Sequence, residues 1–164
     1  MAKARKPLKR KTPLKRTPLK RTATKKKRRP VGSVQHLKKK AWELCSRAIR
    51  LEAREEDGLV TCITCGVRLP WNRGIQAGHF IDGRYNAILF DERGIHPQCM
   101  GCNVMLNGRK EEYFVFMEEK YGREVIDELR RQRNESRSFT AEELAGLIEG
   151  FKLRIDNSIG RLGT

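Results

Sequence analysis

Cys62-Ile-Thr-Cys65 and Cys99-Met-Gly-Cys102-Asn103, with Gln76-Ala77-Gly78-His79-Phe80 between them, are the stretch on which the fold turns. Thiolates two residues apart in a turn can both reach one zinc ion. Two such turns complete a tetrahedral four-sulfur site with no position left for water. A zinc on Cys62, Cys65, Cys99 and Cys102 is therefore structural, and any chemistry has to sit in the segment 66–98 that the two turns clamp, or directly beside it. In a core this small the metal should supply much of the folding free energy, about 10–16 kcal/mol in short zinc peptides.

Outside the clamp the composition is uneven. Of 36 Lys and Arg, fifteen lie in residues 1–30, which hold no Asp or Glu, so the net charge of +16 belongs almost entirely to that segment. Its only large apolar residues besides Met1 are three leucines, and four prolines interrupt it, so residues 1–32 are expected to be a disordered polybasic arm ahead of a zinc-binding domain over 33–164. The arm repeats Pro-Leu-Lys-Arg: Lys9 and Arg10, Lys15 and Arg16, Lys20 and Arg21, then the run Lys25, Lys26, Lys27, Arg28 and Arg29. Such a chain can follow a phosphate backbone without reading sequence; the same runs also resemble nuclear-localisation signals. No apolar run follows the basic N-terminus and nothing approaches a membrane span, which points to a cytoplasmic protein with no membrane partner. In a reducing compartment the fifth cysteine, Cys45, is a bystander.

Ser33 is a fitting N-cap for a helix with Val34, Leu37, Ala41, Leu44, Ala48 and Leu51 at three- and four-residue intervals, running to about Glu56 before Asp57-Gly58. Val60–Ile63 and Val67–Leu69 read as short strands around the first cysteine turn, and 75–80 and 86–90 as further extended segments. A helix can start at Asn103 and break at Asn107-Gly108. Tyr113, Phe114, Phe116, Met117, Tyr121, Val125, Ile126 and Leu129 then give an apolar helical face, and Thr140-Ala-Glu-Glu143 fits a capping box before a last helix. The expected class is α+β: a small zinc-stabilised unit framed by helices.

The segment from Gln76 to Asn103 resembles the HNH, or ββα-metal, nuclease motif, in which a histidine ends the first strand and a residue after the second zinc turn binds a catalytic metal; His79 and Asn103 match those two positions. More narrowly, Ala77-Gly78-His79-Phe80, Phe90-Asp91-Glu92-Arg93-Gly94-Ile95-His96-Pro97-Gln98-Cys99-Met100-Gly101-Cys102-Asn103 and Tyr113 resemble the NinG/Rap recombination proteins of lambdoid bacteriophages. That resemblance implies a DNA endonuclease acting on branched recombination intermediates, Holliday junctions and D-loops, in a bacterial host cell. Many HNH enzymes carry an aspartate metal ligand where this chain has Gly78, so a second ligand would come from His96, Asp82 or Asp91. The usual base-orienting asparagine is Gly94 here, leaving that role to the backbone around His79 or to Asn86.

These groups suit metal-assisted phosphodiester hydrolysis. A neutral imidazole takes a proton from water, and one Mg²⁺ or Mn²⁺ on Asn103 stabilises the leaving oxygen. Arg84, in the loop after His79, and Arg109, past Asn103, are placed to grip a phosphate. Asp91 and Glu92 read more readily as an N-cap or ion-pair partners of Arg93 than as catalytic groups, and His36 as a surface residue. The partner is expected to be DNA, branched or single-stranded, together with phage or host recombination proteins. A homodimer would match the two-fold character of a junction. The alternatives are a non-catalytic zinc module that binds DNA for recombination partners, and an RNA-binding protein using the arm.

Overall fold

The computed structural model describes Pro30 and residues 32–160. The expected polybasic arm and its candidate DNA contacts, Lys9 through Arg29, lie outside the described residues. Helix α1 spans Val34–Glu52, and the Ser33 hydroxyl accepts the His36 N–H at its start. Cys45 sits at the centre of the buried face with Ala41, Ala48, Ile49 and Leu51, while Val34 is exposed. The helix stops at Glu52 rather than near Glu56. The chain turns early because the Glu55 N–H is taken by the Leu59 carbonyl, which closes a loop into the first strand.

Strands β1 (Leu59–Thr61) and β2 (Arg68–Pro70) pair antiparallel around the first cysteine turn, and β3 (Ile75–His79) pairs antiparallel with β4 (Ile95–Cys99). The expected strand over 86–90 is absent. Asn86–Ile88 is a single helical turn that buries Ile88 and Leu89. A short apolar run does not fix a period, and here the burial is met by a turn. The true partner of β3 is the run Ile-His-Pro-Gln-Cys, set so that Gly78 faces His96 and Gln76 faces Gln98.

After the second cysteine turn, Gly101–Met105 forms one wide helical turn. Asn107, Gly108 and Arg109 then take left-handed backbone angles that break it, as Asn107-Gly108 leads one to expect. Helix α2 (Lys110–Gln132) is interrupted at Gly122, whose φ of 78° separates two helical stretches. Helix α3 (Ala141–Gly160) opens on the expected capping box: the Thr140 hydroxyl accepts the Glu143 N–H at 3.1 Å, and the Glu143 carboxylate accepts the Thr140 N–H at 2.8 Å. Helices α1 and α3 pack through Cys45, Ala48, Leu51, Phe151 and Ile155, with Ala77 and Ile95 of the β3–β4 hairpin against the same cluster. The hairpin's far side meets α2 through Phe80, Tyr113, Met117, Ile126 and Leu129. The architecture is α+β, and no helix of the described residues is long and apolar enough to cross a membrane.

Candidate functional site

The Sγ atoms of Cys62, Cys65, Cys99 and Cys102 all lie within 4.8 Å of one another, a set that can hold a metal ion such as zinc. Backbone N–H groups already point at the sulfurs: Cys99 N donates to Cys62 Sγ at 3.2 Å and Cys102 N to Cys99 Sγ at 3.4 Å. Burial alone would push the Cys62 thiol up, but bonds from the Thr64 hydroxyl and from nearby backbone N–H groups bring it down to about 6. Cys65 is exposed, but desolvation of its sulfur and its contacts with the sulfurs of Cys102, Cys62 and Cys99 push it up to about 12, so Cys62 is the thiol ready to ionise first as a metal enters. Val60 and Ile75 close over Cys62 and Cys102, with Leu69 and Trp71 packed beside them.

His79, at the end of β3, is half-buried. Its Nε2 lies 3.3 Å from the Leu89 carbonyl oxygen. A carbonyl only accepts, so Nε2 carries the hydrogen and Nδ1 is left with its lone pair. The Trp42 ring stacks on the imidazole, centroids 4.5 Å apart at 23°. Burial, with a smaller push from the Arg84 charge, holds His79 below the usual histidine pKa, so it is neutral at pH 7. The orienting partner is thus the Leu89 backbone. Asn86, the other candidate, accepts from Lys38 and donates to the Arg137 carbonyl instead. At Gly94, the position of the usual orienting asparagine, the carbonyl receives the Phe80 N–H next along the chain from His79.

Asn103 follows the last cysteine and donates from Nδ2 to Gln76 Oε1 at 2.6 Å, which turns its own Oδ1 toward Gly78. A Cβ at Gly78 would stand 3.0 Å from that oxygen and collide with the Gln98 side-chain oxygen, so glycine is what lets the two amide oxygens come close together. An amide oxygen on a residue that lines a cleft fits a hard divalent cation, which takes oxygen donors and retains several waters.

Asn103, Gln76, Trp42, Arg84 and Arg50 line one cleft of about 310 Å³. A larger depression of about 490 Å³, lined by Phe90, Phe139 and Leu147 among others, holds no histidine or cysteine. Arg84 lies over the Trp42 ring, 5.2 Å from its centroid. Arg47 and Arg50 lie over Trp71, and the Arg50 pKa is lowered by burial and by the Arg47 charge. Among the described residues no carboxylate pairs with Arg47, Arg50 or Arg84, so this wall carries uncompensated positive charge. Trp42, Arg47, Arg50 and Gln76 carried no functional expectation from sequence. Trp42 and Arg50 come from the polar and aromatic side of α1 and Gln76 from β3, and only the fold brings them to the cleft that Asn103 lines.

The other expected site residues go elsewhere. His96 is buried with both ring nitrogens engaged, Nδ1 to the Tyr113 hydroxyl at 3.1 Å and Nε2 to the Tyr121 hydroxyl at 3.0 Å. Tyr113 donates to the Gly78 carbonyl at 2.9 Å, so it accepts from Nδ1–H, and the Nε2 lone pair takes the Tyr121 hydrogen. No lone pair remains for a metal, which corrects the expectation that His96 is a ligand beside Asn103. Asp82 is exposed, pairs with Lys110 and lines a different depression with Phe114 and Arg133. Asp91 accepts from the Arg93 backbone and side chain, the expected N-cap and ion-pair use, and Glu92 pairs with Arg154. Arg109 pairs with Glu112 rather than reaching the cleft.

A family model described as NinG, Bacteriophage Lambda NinG protein, matches residues 1–158. Protein ninG of Escherichia phage 933W is 30% identical over 112 residues, 66% of this chain and 53% of that protein. Protein ninG of Escherichia phage lambda is also 30% identical over 112 residues, 66% of this chain and 52% of that protein. Protein ninG of Enterobacteria phage H19B is 32% identical over 107 residues, 63% of this chain and 51% of that protein. The chain spans about half the length of the curated relatives it matches. No solved structure matches.

Proposed function

The chain belongs to the NinG family of lambdoid bacteriophage proteins, and from that premise and the cleft at Asn103 we propose a zinc-stabilised, divalent-metal-dependent endonuclease of the HNH kind that hydrolyses phosphodiester bonds in branched DNA. The observation that carries the reading is His79: its hydrogen is fixed on Nε2 by the Leu89 carbonyl, Trp42 holds its ring, and burial keeps it neutral with Nδ1 free. A base prepared in this way takes a proton from water as the water oxygen bonds to phosphorus. The bond to the leaving oxygen breaks, and the proton stays on Nδ1 until solvent removes it. Asn103 would hold a Mg²⁺ or Mn²⁺ ion, which supplies charge to stabilise the leaving oxygen. Arg84, Arg50 and Arg47 attract and position the phosphate backbone, and the polybasic arm would add sequence-blind affinity. The four cysteines hold zinc as a frame and take no part in the reaction.

The full chain, loaded with zinc and given Mg²⁺ or Mn²⁺, is expected to cut a synthetic four-way junction. His79→Ala should lower the cleavage rate by about 10²–10⁴-fold while zinc content and junction binding stay unchanged. Equal cleavage by His79→Ala would sink the assignment. Junction binding without cleavage under any divalent metal would instead establish the non-catalytic DNA-binding module.

A further inference from the structure

We propose that Gln98 Oε1 is the second protein oxygen of the divalent-cation site at Asn103, reaching from β4 into the space that Gly78 leaves open on β3; this rests on the reading of Asn103 as a metal-binding residue. Gln98 is fully buried. Its Nε2 donates to the Gly108 carbonyl at 2.9 Å and to the Thr64 hydroxyl at 3.3 Å. A carbonyl cannot donate, so the Gly108 contact fixes which end of the amide is nitrogen. Oε1 is then left buried with no hydrogen-bond partner among the described residues. An orphaned buried acceptor is destabilising, a penalty removed by anything bound there that carries positive charge or a hydrogen.

The place where that group would sit is defined from two sides. A Cβ on Gly78 would collide with Gln98 Oε1 and stand 3.0 Å from Asn103 Oδ1, so both amide oxygens converge in front of the Gly78 backbone. Two carbonyl oxygens repel each other across an empty gap, and a hard cation is the ligand that satisfies both at once. This arrangement accounts for Gly78. An aspartate there would bring its own carboxylate, but its Cβ would displace the oxygen that Gln98 already delivers from the facing strand. It also sets the strength of the site. The acidic candidates from the sequence are engaged elsewhere, Asp82 with Lys110 and Asp91 with Arg93, so the donors proposed here are neutral. The cation binds weakly to the free protein and needs a phosphate to complete its charge balance.

Mn²⁺ titrated into the full zinc-loaded chain, with the free ion followed by electron paramagnetic resonance, tests this. The wild-type chain should take up one ion beyond the uptake of Asn103→Ala. Gln98→Met, which keeps the volume and removes the oxygen, should weaken that uptake by about tenfold or more. Gly78→Ala, whose Cβ would push the Gln98 oxygen aside, should do the same; Gly78 has no left-handed φ, so alanine is allowed by the backbone. Zinc content and melting temperature show that each variant is folded. Wild-type uptake by both variants overturns the proposal and leaves Oε1 to a buried water, and a wild-type chain that binds no more Mn²⁺ than Asn103→Ala overturns it as well. Junction cleavage assayed on the same proteins separates the two readings. Uptake lost in the variants without cleavage by the wild type defeats the nuclease and keeps the site, whereas cleavage with uptake unchanged in the variants keeps the nuclease and defeats Gln98.

Discussion

Where α1 meets α3, the contact is Cys45, Ala48, Leu51, Phe151 and Ile155, with the Arg154 to Glu52 pair at its rim. Where the β3–β4 hairpin is held, the materials are different. One end is tied by four cysteines over Val60 and Ile75 with Leu69 and Trp71 beside them, and the other by a chain of hydrogen bonds from Tyr121 through His96 and Tyr113 to Gly78. The helical pair is stabilised by apolar burial, which neither chelators nor moderate acid should affect. The hairpin, which carries His79 and Gln98 and delivers Asn103, adds to the apolar packing of Ala77 and Ile95 a cysteine cluster that can hold a metal and one neutral histidine. The groups proposed to act on the phosphate therefore sit on the part of the molecule whose geometry is set largely by directional bonds, and the helices supply bulk stability beside it.

Removing the metal should split the two regions furthest. A zinc site of this type contributes about 10–16 kcal/mol in isolated peptides, so a strong chelator, or Cys102→Ser, should release the hairpin. Amide exchange is the measurement: protection over 59–61, 68–70, 75–79 and 95–99 should be lost, while α1 and α3 keep much of theirs. Simultaneous loss in α1 and α3 would show that the helical pair depends on the metal and would end the comparison.

The opposite perturbation is a cavity in the helical pair. Phe151 is buried at the centre of that contact, with Phe90 6.1 Å away ring to ring. Phe151→Ala should cost about 3–5 kcal/mol of stability in denaturant titration, with zinc content at room temperature unchanged. Zinc loss in step with the stability loss would mean that α3 helps to form the cysteine cluster.

The same contrast decides what was legible in the sequence. Helix α1, its Ser33 cap and the Thr140 box follow from local rules, and the cysteine pairs announce themselves by spacing, because each signal lies within four residues. Strand β4 was hidden: Ile-His-Pro-Gln-Cys has no period-two pattern, since four of its five residues are buried in the fold. The run 86–90 looked extended only because it is apolar. The identities of His79 and Asn103 could be singled out by motif, but not the group that orients His79, since a backbone carbonyl ten residues away has no sequence signature. Tyr113 and Tyr121 read as an apolar helical face, and only the fold shows that their hydroxyls are what His96 needs. Gln98 stood inside a recognisable motif without a role, because being buried with one end unpaired is a tertiary property.

The smallest effect separates the regions by acid. His96 is held neutral at a pKa of about 3, below the usual 6.5, chiefly because burial opposes its charge and secondarily because Lys120 is nearby. The unfolded chain takes up a proton below 6.5 and the fold does not, so this stabilisation is complete above pH 6.5 and is lost as pH falls from there toward 3. The slope is at most about 1.4 kcal/mol per pH unit. His79 is also held low by burial and adds to the slope in the same direction. Stability measured by denaturant between pH 6.5 and 5.5, with zinc content followed alongside, should fall for the wild-type chain. His96→Asn has nothing to titrate in that window and should show a shallower fall from a lower starting stability. Equal slopes would mean that Tyr113 and Tyr121 hold the hairpin without depending on a neutral His96, and the hairpin would then differ from the helical pair only in its metal.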